Sequence, residues 1–234
     1  MYEDFNSQNE ASEVIHDVSR QDNFFVKTFF WMFLGLISTA FFAAYTYYSG
    51  FFAKVLIGNY FNLLLILEVV VVLLFSFLFR KLSPTMVGIL YFIYAGINGI
   101  TMSVIFAVFE LNSIILLFLV SAGLFGALAL YGYKTSKDLS NWHTLLFDTL
   151  LAGLITSLIN LILKNSMLDI ILDWVILFVF FGITAYDMNK LKSATSSNII
   201  AKDKIHIYFA MELYLDFINI FLRVLSLLGK RRRD

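Results

Sequence analysis

Seven long apolar runs follow one another along the chain, and they constrain the fold more than any other feature. They are Phe29–Tyr48, Asn62–Phe79, Thr85–Val108, Ser113–Tyr131, Leu145–Leu163, Leu168–Tyr186 and Ile205–Leu228, each 18 to 24 residues long. A helix that crosses a bilayer needs about 17–25 mostly apolar residues. The runs are continuously apolar and lack the polar-in, apolar-out alternation of barrel strands. Helices are then the remaining way to satisfy backbone polar groups in lipid. The expectation is an all-α integral membrane protein with seven transmembrane helices. The runs take up 143 of 234 residues, which leaves only tails and short loops and no room for a soluble domain. Composition agrees: 60% of residues are hydrophobic and 15% charged, against about 45–50% and about 25% in soluble domains.

The same composition excludes several classes. With 26 Phe and 12 Tyr the chain is not a solvated coil. The absence of Cys removes thiolate nucleophiles, Cys-ligated zinc and iron–sulfur clusters, and a net charge of zero offers no footprint for nucleic acid. There is no Walker-type phosphate loop, no GxSxG and no dinucleotide fingerprint. His16, His143 and His206 have no helical metal-ligand spacing. No enzyme activity, cofactor or nucleic-acid partner is expected.

Three regions are expected: an acidic cytoplasmic tail over residues 1–28, the membrane domain over 29–228, and a basic tail over 229–234. The first is polar and acidic, unlike the basic start of a signal peptide, so the first span should be retained. Ten Lys and Arg fall in the tail and loops on the N-terminal side, from Arg20 to Lys204, against Lys54 and Lys164 opposite. Basic residues favour the cytoplasm, so the N-terminus is expected there. Seven full crossings put Lys230–Arg233 on the disfavoured side. The last run has no central Gly or Pro at which to turn back, so seven crossings are retained. Gly88, Gly96, Gly99 and Ser103, with Ala122 and Gly126, are small residues at which helices can approach closely.

Ionisable groups inside a bilayer are costly and normally face the bundle interior or water. Glu212, Asp216, Asn219 and Arg223 follow at steps of four, three and four residues, which places them on one stripe of the last helix. That stripe should point into the bundle, either as an ion-pair network that fixes helix register or as the lining of an ion pathway. Asp148 is read as capping a helix N-terminus, and Asp169 and Asp173 as helix-end groups that could also form an acidic mouth for cations. Glu68 lies twelve residues from Arg80, about 18 Å along a helix, so the two do not pair. Arg223 lies at a depth where it could be the partner of Glu68.

Three stretches carry a resemblance. Tyr131-Gly-Tyr-Lys-Thr-Ser-Lys-Asp-Leu-Ser140, Phe181-Gly-Ile-Thr-Ala-Tyr-Asp-Met188 and Leu213-Tyr-Leu-Asp-Phe-Ile-Asn-Ile-Phe-Leu222 resemble, in order and spacing, the ends of the fourth and sixth helices and the last helix of the transmembrane Bax inhibitor motif (Bax inhibitor-1-like) family. The resemblance implies seven helices with the last surrounded by the other six. It implies a pH-sensitive calcium leak whose sensor is the aspartate pair Asp187 and Asp216, the groups that would also meet calcium. It further implies that Arg80 is associated with the pair, that Glu68 is the second-helix acid, and that Arg223 is its basic partner, one turn earlier than in the family. Calcium is then a transported ion rather than a cofactor. The partners are the bilayer, calcium and protons, in a prokaryotic plasma membrane or, in a eukaryote, an internal one.

Two carboxylates in contact hold one proton between them. A shared proton locks the two helices together, and its loss sets like charges against each other, which makes a two-state element biased by protons. Calcium prefers oxygen ligands. Glu212, Asp216, Asn219 and Glu68 would supply oxygens without a closed cage, which suits permeation. Hydropathy puts Asp187 at the membrane edge and Asp216 about 16 Å along the last helix. They can meet only if that helix starts outside the hydrocarbon, as expected here, or if the sixth continues past Tyr186. The alternatives are a proton-coupled cation exchanger and a non-transporting modulator of a membrane protease or cell-death factor. An intramembrane aspartyl protease is disfavoured, because Leu213-Tyr-Leu precedes Asp216 in place of Gly-x-Gly and no Pro-Ala-Leu is present.

Overall fold

The computed structural model describes the backbone of residues 2–57, 60–196 and 204–232, and within it the side chains other than those of 2–22, 56, 57, 62 and 196. Nine helices run through these residues: α1 (Tyr2–Tyr48), α2 (Phe51–Ile57), α3 (Tyr60–Leu78), α4 (Pro84–Met102), α5 (Val104–Val108), α6 (Leu111–Lys134), α7 (Trp142–Leu163), α8 (Ser166–Ser196) and α9 (Ile205–Leu228). The expected all-α architecture is present. Five stretches are long and apolar enough to cross a membrane: Asn23–Tyr48, Pro84–Val108, Leu111–Lys134, Trp142–Leu163 and Ser166–Thr195. The expected second run, Asn62–Phe79, is a shorter apolar helix over Leu63–Leu78. The expected seventh is α9, whose 24 residues include Glu212, Asp216 and Arg223.

Local chemistry sets the helix ends. Ser83 caps α4 by accepting the Met86 N–H at 3.4 Å, and Pro84 at the first helical position needs no hydrogen bond there. The single third run breaks at Ser103, whose hydroxyl donates to the Ile100 carbonyl at 2.6 Å and separates α4 from α5. Between α7 and α8, Lys164 takes a left-handed φ of 52°. The Asn160 side chain closes that turn with bonds of 3.0 and 3.1 Å to the backbone of Asn165. The acidic N-terminal segment continues helically into the first span, so the helix begins well before Phe29.

Between helices in lipid, association rests on close packing rather than on expulsion of water. Gly99 lies against the Thr39 backbone where α4 meets α1, and Gly132 lies against the Ala185 backbone where α6 meets α8. Gly88 and Gly96 also face α1, through Trp31 and Phe42. The expected approach at Ala122 and Gly126 is not made: a side chain at Gly126 would meet nothing within 4 Å, and Ala122 lines an open groove.

The core is built around α9, which packs against α1, α4, α6 and α8. Ala210, Leu213, Tyr214 and Ile220 on α9 have no exposed surface. By contrast α7 buries only Gly153 and Asn160 and lies at the periphery against α8. At one end of α9 the Lys204 ammonium donates to the carbonyls of Phe79, Arg80 and Leu82 at 2.6, 3.2 and 2.6 Å. At the other end Glu110 N–H donates to Lys230 O and Arg232 N–H to Val108 O, both at 2.9 Å. The last helix therefore runs from one end of the bundle to the other without turning back.

Candidate functional site in the seam between α8 and α9

Helices α8 and α9 pack as an antiparallel pair, and the charged stripe of α9 is turned toward α8. Lys190 lies beside Glu212, with the Nζ to Oε1 distance 2.7 Å. About one turn deeper, Asp187 and Asp216 are close enough to act on each other electrostatically, and Glu212 acts on both. Thr184 donates its hydroxyl to the Phe180 carbonyl at 2.8 Å and also lies within hydrogen-bonding reach of Asp216. At the far end the Arg223 guanidinium and the Ser226 hydroxyl donate to the two oxygens of Asp173. Residues 173, 184 and 187 fall on one face of α8, spaced by eleven and three, so helical periodicity brings them all to this seam.

Two carboxylates are therefore buried here, with Asp187 only 7% and Asp216 only 3% exposed. Their surroundings do not fully satisfy them. Asp216 Oδ2, Glu212 Oε2 and Arg223 Nε are buried without a hydrogen-bond partner. A half-satisfied polar network stabilises a fold less than apolar packing would. The seam is reachable from one side. A half-open pocket of about 180 Å³ is lined by His143, Tyr186, Asp187, Lys190 and Glu212 among others. Lys190 also stands over the rings of Tyr208 and Phe209, at 5.2 and 5.6 Å from their centroids.

The expected residues are placed as follows. Asp187 and Asp216 lie in the same seam, and α8 carries Asp187 there because it continues ten residues past Tyr186 to Ser196. Arg80 is not brought to the pair. It is exposed beyond the end of α3, and its backbone carbonyl receives Lys204. The cation that acts on the aspartates is Lys190, one of the ten basic residues on the N-terminal side. Arg223 pairs with Asp173, and among the described residues it makes no ion pair with Glu68, the partner expected for it. Asn219 lies on the stripe but turns back on its own helix, donating to Leu215 O at 2.8 Å. Asp169 accepts from Asn160, and Asp148 is exposed on a helix whose N-terminal cap position is Asn141, so it is not the cap.

Glu68 belongs to a second buried polar cluster. It lies within hydrogen-bonding reach of Thr101 and Asn98, and its Oε1 is buried without a partner. Tyr214 Oη donates to Asn98 Oδ1 at 3.1 Å and lies 2.7 Å from Thr39 Oγ1. Asn98, Thr39 and Tyr214 were missed from the sequence because neutral polar residues scattered on three helices show no pattern until the helices pack. Among the described residues no group of three or more His, Asp and Glu forms a metal-holding cluster. Asp187 and Asp216 therefore have no closed calcium cage around them.

Comparison with known proteins agrees with this architecture. The family model described as Inhibitor of apoptosis-promoting Bax1 matches residues 21–233. The chain is 38% identical to the inner membrane protein YbhL of Escherichia coli K12 over 229 residues, which is 95% of this chain and 97% of that protein. It is 30% identical to an uncharacterised protein of Borreliella burgdorferi over 219 residues, 92% of this chain and 94% of that one. A Deinococcus radiodurans protein is 32% identical over 210 residues, 89% and 90% of the two chains. The apolar helices, the seam motifs on α8 and α9 and these matches place the chain, an integral multi-pass membrane protein, in the Bax inhibitor-1-like family.

Proposed function

We propose that the protein is a pH-sensitive calcium leak, with Asp187 and Asp216 as its proton-sharing gate. In this reading seven helices cross the membrane, α9 is the central one, and the N-terminus is cytoplasmic. The observation that carries the proposal is that α8 and α9 bury two carboxylates, Asp187 and Asp216, in one seam, near enough to act on each other electrostatically and with one oxygen of Asp216 unpartnered.

Like charges this deep in a low-dielectric site cannot both be borne cheaply, so the pair holds a proton. The proton ties α8 to α9, and its exchange changes how firmly the two helices are held. Lys190 and Glu212 line the pocket from which that proton exchanges. A calcium ion following the seam would meet Glu212 and then Asp216, and the Glu68 cluster offers further oxygens on the opposite face of α9. None of these forms a closed cage, which suits an ion that must leave again.

The test is purified protein in liposomes loaded with a calcium dye. Flux that changes with pH and is lost in Glu212→Gln supports the leak. Flux that requires an opposing proton gradient makes the protein an exchanger. No flux at any pH leaves it a non-transporting modulator.

A further inference from the structure

Helix α1 packs on α4 and α9, and α6 packs on α8 and α9. Between α1 and α6 the bundle surface is open. Two hollows of about 550 and about 380 Å³ lie end to end there, sharing Leu36, Ala40 and Phe118. The floor is α9 itself, through Phe217, Ile218 and Phe221. Along α1 the groove runs from Phe29 to Ala44, or about 22 Å. An acyl chain in one leaflet spans about 15 Å, half the hydrocarbon core. The groove is therefore long enough to take one acyl chain along its length.

Positive charge stands at one mouth of this groove. The C-terminal tail crosses there, with Phe109 and Arg231 forming an antiparallel bridge. Lys230 N–H donates to Ser113 Oγ at 3.0 Å, and the Arg232 guanidinium donates to Tyr47 Oη and to Phe106 O. Phe106 lines the groove, Tyr47 lies one turn beyond Ala43, and Ser113 precedes Ile114. Lys230 is paired with Glu110 at 2.9 Å. Arg231 and Arg232 are exposed and have no acidic partner among the described residues. A guanidinium matches a phosphate oxygen pair in geometry and charge.

We propose that the α1–α6 groove and the Arg231–Arg232 tail together form a binding site for an anionic phospholipid. Its phosphate rests on the two arginines, and one acyl chain lies along Leu36, Ala40 and Phe118. This site does not depend on the leak. It gives the basic tail a role at the end of the bundle where charge bias alone would not put it.

The experiment is native mass spectrometry of the full-length protein titrated with phosphatidylglycerol, phosphatidylcholine or glycerol 3-phosphate. Wild type should retain phosphatidylglycerol over phosphatidylcholine by about tenfold, given the attraction of two arginines for an anionic headgroup. The double variant Arg231→Gln/Arg232→Gln should lose that preference while still retaining phosphatidylcholine as wild type does. Ala40→Phe, which fills the groove on a surface-facing position, should lose both lipids. Equal retention of the two lipids by wild type would overturn the proposal, as would an undiminished preference in the double variant. So would displacement of the lipid by glycerol 3-phosphate alone, or disulfide-linked dimers formed across the groove by Phe33→Cys.

Discussion

Asp216 is a buried carboxylate in a seam that also buries Asp187, and burying such a charge is costly. Asparagine has nearly the same shape and no charge. Asp216→Asn should therefore leave the fold intact, with a melting temperature in detergent equal to or above that of wild type. A drop of several degrees would mean that the carboxylate is structural. Arg223 is the opposite case. It neutralises Asp173, which is 13% exposed, and Arg223→Met would leave that charge with only Ser226. The loss should be about 2–3 kcal/mol, seen as a lower melting temperature. Adding Asp173→Leu should restore most of it, because an apolar pair replaces the ion pair. Much of this chemistry was legible in the sequence, since the four–three–four spacing of Glu212, Asp216, Asn219 and Arg223 requires only helical periodicity. The partners were not legible. Lys190 and Asp173 are chosen by the register of two antiparallel helices, and no local pattern encodes that register.

Among the elements, α9 has the bounds expected of it, because its apolar run starts and stops cleanly at Ile205 and Leu228. Helix α8 outruns its apolar run because the polar residues beyond Tyr186 find partners. Lys190 pairs with Glu212, Asn189 donates to Gly132 O at 3.2 Å, and Lys192 donates to Thr135 O at 3.2 Å. Hydropathy reports affinity for lipid and is blind to such bonds, so it ended the span early. The close approaches were half legible. Gly99 was identified as a contact position, but Gly132 was not, as it sits among Tyr131, Tyr133 and Lys134 at the end of α6. A methyl group at Gly132 would collide with the Ala185 backbone, which cannot yield. Gly132→Ala should therefore push α6 from α8 and cost about 1–3 kcal/mol. Gly126→Ala, facing open space, should leave the melting temperature unchanged.

At the scale of the whole molecule, Lys204 is tethered at one end of the bundle and residues 230–232 at the other, with α9 running between them. A single cysteine at Ser136, in the α6–α7 loop, and one at Lys230 should be labelled from opposite faces of sealed vesicles by a membrane-impermeant thiol reagent. Labelling of both from one face would mean that α9 turns back. The basic tail is held at that end by bonds from its backbone and side chains to residues 106–113 and to Tyr47. A charge-counting argument cannot see that. The proposed function rests on the buried carboxylates of α8 and α9 controlling cation passage. The most direct test is calcium entry into dye-loaded liposomes followed across pH for wild type and for Asp216→Asn. The account predicts a flux that changes with pH in wild type and a flat profile in the variant. Superimposable pH profiles from the two proteins would contradict it.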